Sequence, residues 1–139
     1  MLEISAPVAT VLAALFGGLL SLYVYRLNGF RAASVKFRAA VLTALEGLYP
    51  APARWPEDVD MFLRNIFPQL QSAVAEFRPV LPWYRRRAFD RAWFDYRCAT
   101  GREVDVQCYH HYMAFSGQPD PRLTFKQNVD ALLSFAKQP

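Results

Sequence analysis

Hydrophobic positions change their rhythm along this chain. From Ile4 to Tyr25, "ISAPVATVLAALFGGLLSLYVY", they are continuous and uncharged; 22 residues at about 1.5 Å each give a helix of roughly 33 Å, enough to cross about 30 Å of hydrocarbon. Pro7 falls in the first turn, where a missing N–H is tolerated, and Tyr23 and Tyr25 mark the far end, where amphipathic rings favour the interface. Beyond it the pattern becomes periodic. Phe30, Ser34, Phe37, Val41, Ala44, Leu45 and Leu48 recur at helical spacing opposite Arg31, Lys36 and Arg38, which predicts a basic amphipathic helix. Asn28-Gly29 between the two segments reads as a turn or hinge.

Three prolines in "YPAPARWP" then predict a rigid, non-helical connection. Pro56, Glu57, Asp58 and Asp60 form a helix start, with acids at the positive end of the dipole, and Val59, Phe62, Leu63 and Ile66 supply an apolar face. Pro68 interrupts that face before Leu70, Ala73, Val74 and Phe77 resume it, so two short helices or one bent helix fit equally. Near the end, Asp120 or Thr124 caps a helix whose face is Phe125, Val129, Leu132, Leu133 and Ala136. The expected fold class is mainly α: one N-terminal transmembrane helix followed by a small, mostly helical cytoplasmic domain. The expected divisions are an anchor over 1–29, a stalk helix and Pro-rich connector over 30–55, and an aromatic-rich helical domain over 56–139.

Composition agrees with a folded chain of one domain: 139 residues, 53% hydrophobic, 15% aromatic and 20% charged. Charge adds direction. All sixteen Lys and Arg lie at or after Arg26, whereas the segment before it carries only Glu3 of the twelve acids. A secretory signal would want the positive charge at its start and a shorter apolar core. Arg26, Arg31, Lys36 and Arg38, with no acid before Glu46, place the body in the cytoplasm and the N-terminus outside. The same four cations suit an anionic inner leaflet. Small residues recur every fourth position as Ala9, Ala13, Gly17 and Ser21, with Ala6, Thr10, Ala14 and Gly18 beside them, a smooth face of the kind that lets membrane helices pair with themselves or with another span.

Two stretches carry candidate chemistry. From Phe77 to Tyr96, Trp83, Tyr84, Phe89, Trp93 and Phe94 interleave with Arg78, Arg85, Arg86, Arg87 and Arg91, a mixture able to hold anions, anionic lipid or single-stranded nucleic acid. Phe89, Trp93 and Tyr96, however, have the spacing of one helix face, which is first of all a packing pattern. The other stretch, "CATGREVDVQCYHHYMAF", holds both cysteines and both histidines. Its C-x9-C-x-H-H spacing is unlike a zinc site, and adjacent His110 and His111 point apart; Cys108 with one of them is the most that a metal or a hydrolase could use. Val104, Cys108, His111, Tyr112 and Phe115 fit a helical face, slightly favoured over an alternating strand through Val104, Val106 and Cys108. In a reducing cytoplasm Cys98 and Cys108 are expected as free buried thiols. No phosphate loop, nucleophile elbow or H-E-x-x-H helix is present in the sequence, and no cofactor is expected.

The run "FRPVLPWYRRRAFDRAWFDYRCATGREVDVQCYHHYMAF", together with "FKQNVDALLSFAKQ" and the preceding anchor, resembles a group of small uncharacterised single-span bacterial membrane proteins, some carried as integron gene cassettes. The resemblance implies a bacterial host, a position in the inner membrane and an accessory role such as defence against phage, and it brings no active site to these positions. The expected function is therefore a membrane-anchored interaction or accessory module without a catalytic site, with a tethered nucleic-acid or anionic-lipid binder, and then a Cys/His hydrolase or metal protein, as the alternatives.

Overall fold

The computed structural model describes residues 6–98 and 107–137. It is mainly helical, with four α-helices and no strand among those residues. Helix α1, Ala6–Ala44, is a single rod of 39 residues. The expected hinge at Asn28-Gly29 is not there. A helix-interior glycine costs only about 1 kcal/mol relative to alanine, and a hydrogen-bonded ladder established on both sides offsets that cost more easily than it re-nucleates.

The two ends of α1 live in different surroundings. Every residue from Ala6 to Arg26 is exposed, whereas Ser34, Phe37, Val41 and Ala44 are buried. The basic amphipathic segment thus continues the bare N-terminal half of the helix and packs its apolar face into the body.

Leu45 to Asp58 return the chain for α2, Val59–Phe77. Gly47 makes the turn possible: its φ is +88°, and a Cβ there would sit 3.2 Å from the Cβ of Arg54, whose N–H donates to the Gly47 carbonyl at 2.9 Å. Asp58 caps α2 by accepting the Met61 N–H at 2.9 Å. Pro68 stays inside one continuous helix, on its exposed side, while Leu63 and Leu70 are buried on either side of it. A 3₁₀ turn, Arg78–Val80, leads to α3, Trp83–Arg97. Cys98 and Cys108 form an isolated parallel bridge, and a second 3₁₀ turn spans Tyr109–Tyr112. Helix α4, Pro121–Ser134, closes the body, capped by Asp120 through the Arg122 N–H at 3.0 Å.

Helices α1 and α2 pack as one pair and α3 and α4 as another. Rings fill the space between the pairs. Phe37 stacks on Phe77 at 4.6 Å between centroids, and both meet the edge of Phe89. A second knot joins Tyr96, Tyr109, Tyr112 and Phe125. The aromatic stripe Phe89, Trp93 and Tyr96 is core, as its spacing suggested.

The favoured helix over Val104 to Phe115 does not form within the described residues. Cys108 is extended, with φ −128°, and Phe115 is 54% exposed instead of lying on a buried face. Residues i and i+3 eclipse in a 3₁₀ turn, so Tyr109 and Tyr112 enter the core together. Gly117, at φ +83°, then turns the chain before Pro119 and the start of α4 at Pro121. Val104 and Val106 lie outside the described residues.

Candidate functional site

The bare half of α1 is the most conspicuous surface of the molecule. Its 18-residue apolar window has a mean hydropathy of 1.9 with none of it buried, so this helix is long and apolar enough to cross a membrane. Phe16 is 71% exposed and Leu19 and Leu20 are 64% exposed each. Exposed apolar surface of this extent is not what a monomer leaves to water. The two hydroxyls on the segment are already satisfied: Thr10 Oγ1 donates to the Ala6 carbonyl at 3.0 Å and Ser21 Oγ to that of Gly17 at 2.9 Å. Such back-bonding pairs the hydroxyl donors and lowers the cost of placing Ser or Thr in an apolar medium. Ala9, Ala13, Gly17 and Ser21 share one stripe, and nothing lies within 4 Å of where a Cβ on Gly17 or Gly18 would sit.

The four cations after the apolar segment part company. Arg26 and Arg31 are exposed; Lys36 forms an ion pair with Glu76 of α2 at 2.5 Å; Arg38 is half-buried near the Tyr49 ring. Lys36 and Glu76 stand at the rim of a groove of about 470 Å³ between α1 and α2, floored by Phe37, Ala40 and Ala73.

Nor do Arg85, Arg86, Arg87 and Arg91 form one patch. Arg86 donates to the carbonyls of Leu81 and Pro79 at 3.0 and 2.9 Å, so it holds the turn before α3. Arg85 lies 5.2 Å from the centroid of the Phe135 ring, and Arg91 pairs with Asp95 one turn on, at 3.2 Å. Arg87 is exposed. Nearby Arg78 grips Asp90 with two bonds of 2.7 and 2.8 Å, which holds the Asp90 carboxyl below its usual range. A continuous phosphate-binding track would need more of these guanidinium groups turned outward.

The cysteine and histidine stretch is largely internal. Cys98 and Cys108 are buried, each 2% exposed. His110 faces outward, while His111 packs against the Tyr112 ring at 3.8 Å between centroids. Burial lowers the His111 pKa, partly offset by backbone groups of Asp95, Cys108 and Tyr96, so the neutral ring is favoured. Among the described residues no three His, Cys, Asp or Glu side chains converge as metal ligands would.

Two polar arrangements escaped the sequence reading. The Tyr49 hydroxyl donates to Asp130, which also accepts from Lys126 at 2.7 Å; burial and the carboxylate together push Tyr49 up to about 12, and Lys126 first, then Tyr49, hold Asp130 down. Inside the core, Tyr112 donates to the Tyr96 carbonyl at 2.7 Å and accepts from Asn128 at 3.0 Å. Burial raises the pKa of Tyr96, Tyr109 and Tyr112 alike, so these phenols remain protonated; all three serve as packing rings, and Tyr112 as a donor too. Tyrosines signal neither role from sequence, because their partners lie far along the chain. No family model, no curated protein and no solved structure matches this chain.

Proposed function

We propose that this chain is a single-span protein of the bacterial inner membrane, with its N-terminus outside and a helical head on the cytoplasmic side that serves as an interaction or accessory module. One observation carries the reading: the same unbroken helix is bare and uncharged over Ala6 to Tyr25 and built into the aromatic core from Ser34 onward. Those first twenty residues measure about 30 Å, the thickness of the hydrocarbon layer. Lipid covers the bare half. The orientation rests on Arg26, Arg31, Lys36 and Arg38, all on the head side of the span. The bacterial host and the accessory role rest on the resemblance of the Phe77 to Phe115 run to small cassette-borne proteins. The smooth stripe through Ala13 and Gly17 supports pairing with a second copy or another membrane helix.

The test is membrane retention read together with topology in bacterial cells expressing the full chain. Retention through an alkaline wash, with a C-terminal reporter active only inside the cell, is the expected result. Release by the wash removes the anchor, and an exported reporter removes the orientation.

A further inference from the structure

The geometry points to a second membrane contact: we infer that the head lies down on the anionic headgroup layer through Trp83 and Tyr84, with Val80 and Arg87 beside them. This rests on α1 being the anchor reading above. The chain of contacts fixes which end of the head faces the bilayer. Phe77, the last residue of α2, touches Phe30 at 6.1 Å and Phe37 at 4.6 Å between ring centroids, and Phe30 lies only five residues, about 7.5 Å, beyond Tyr25. Helix α2 therefore descends toward the span. The turn Arg78–Val80 sits at the base, against α1, and α3 climbs away again, since Trp93 stacks on Phe67 and donates to Gln71 at 3.1 Å, both earlier in α2.

Trp83 thus stands at the lower end of α3. Phe89 shares the level of Phe37 and Phe77, and Trp83 is six residues, about 9 Å, below it, close to the level of Arg31. Arg31 is itself six residues, about 9 Å, beyond Tyr25, which sets Trp83 at the outer edge of the headgroup layer, about 5–7 Å thick on each side. Side chains of a helix lean toward its N-terminus, so the rings of the first turn of α3 tilt toward the bilayer. Their exposure is large for such residues: 81% for Trp83 and 67% for Tyr84, with 38% for Val80. Tyr and Trp rings with one wet end are what the interface selects.

Charge complements the rings. Asp90 and Glu76, the acids near this base, are neutralised by Arg78 and Lys36, which leaves the exposed Arg26, Arg31 and Arg87 as the surplus. Arg86 and Arg85 hold the turn and the helix start from inside, so the contact is formed before lipid arrives. A tethered head needs little affinity, because the anchor already holds it within reach of the surface.

The experiment uses the full chain in vesicles, either zwitterionic or containing anionic phosphatidylglycerol, with lipids brominated near the headgroup as quenchers of tryptophan emission. Trp93 is buried and Trp55 half-buried, so the interfacial signal belongs to Trp83. In anionic vesicles quenching is expected, and Trp83→Phe removes most of it. Arg87→Ala lowers the docked-to-free ratio about fivefold, the factor for about 1 kcal/mol per basic residue near an anionic surface. A chain that stays in the vesicles through an alkaline wash yet shows no Trp83 quenching overturns the docking and leaves the anchor standing. A chain that washes off overturns both. Quenching of Trp83 by added single-stranded DNA in place of lipid names another occupant and equally overturns the proposal.

Discussion

Phe37→Ala asks whether the C-terminal third of α1 is part of the head. Phe37 is 3% exposed, stacks on Phe77 and meets the edge of Phe89, so it joins α1 to α2 and α3 at once. Truncating a buried phenylalanine costs about 3–5 kcal/mol, because transfer energy is lost and a cavity remains. The upper half of that range is expected here, since two ring contacts go with it. A head of this size is worth about 5–15 kcal/mol in total, and each kilocalorie moves Tm by about 4–8 °C. A loss of about 4 kcal/mol therefore lowers Tm by roughly 15–30 °C. The assay is denaturant and thermal unfolding of the full chain in detergent micelles, followed by emission of Trp93, which is buried against Phe67. Phe16→Ala, at a position 71% exposed, is the control and leaves the head unchanged. If Phe37→Ala stays within about 0.5 kcal/mol of the parent, the range of an ordinary surface substitution, α1 is not a shared element and the continuity argument fails.

Gly29→Ala separates helix from hinge in one residue: nothing lies within 4 Å of the added Cβ, so the variant is expected to stabilise α1 by about 0.5–1 kcal/mol, read as raised Tm in the same micelles, whereas a hinge would yield no gain. Tyr112→Phe leaves the Tyr96 carbonyl and one Asn128 donor buried without the hydroxyl, so a loss of about 1–3 kcal/mol is expected; a neutral result by urea titration would mean that water reaches them. Tyr49 and Asp130 give the head opposite pH limits. The folded Tyr49 is raised from 10.0 to about 12, so its contribution is complete below pH 10 and is lost as pH rises toward 12. Asp130 is held below 3.8, so its contribution is complete above that value and is lost as pH falls through the lower folded value. Because water competes at this site, Tyr49→Phe costs about 1 kcal/mol near neutrality and should flatten the alkaline limb of a Tm-against-pH curve; an unchanged limb would refute the assignment.

What was legible in the sequence is what periodicity encodes. The uncharged run, the face from Phe30 to Leu48 and the face from Phe125 to Ala136 can each be read from spacing alone, and the buried positions of both faces follow it, with Phe30 half-buried at the edge. Asn28-Gly29 misled because a turn dipeptide is a local preference of about 1 kcal/mol, and helix cooperativity on both sides outweighs it. The stretch through Cys108 misled for another reason: Cys108, His111, Tyr112 and Phe115 satisfy a helical template, but a four-residue 3₁₀ turn buries Tyr109 together with Tyr112 and leaves Phe115 exposed. Arginine roles were invisible, since Arg86 turns back onto carbonyls five and seven residues earlier while Arg87 faces out, and no composition distinguishes them. The Tyr49 and Asp130 pair spans 81 positions, which only the folded chain brings together.

Continuity of α1 ties the phase of the span to the phase of the head, and this decides how two copies could meet. At about 100° per residue, Gly17 and Phe37, twenty positions apart, are turned by about 200°, so the small-residue stripe lies nearly opposite the face that carries the head. Eighteen positions from Gly17, after a whole number of turns, comes Val35, 60% exposed, with Leu42, 37% exposed, one heptad further. Two anchors joined along Ala13 and Gly17 would thus continue into contact along Val35 and Leu42, with both heads turned outward and free to reach the bilayer. Val35→Cys is then expected to crosslink between copies in oxidised membranes, while Lys36→Cys, turned by a further 100°, is not. The native Cys98 and Cys108 are buried and give no background. Gly17→Leu should weaken the Val35 crosslink without changing membrane retention, because a bulkier stripe separates the helices and leaves each span apolar. Equal crosslinking at positions 35 and 36 would mean that α1 does not hold one phase from span to head, and no crosslinking at either would mean that the stripe faces lipid alone.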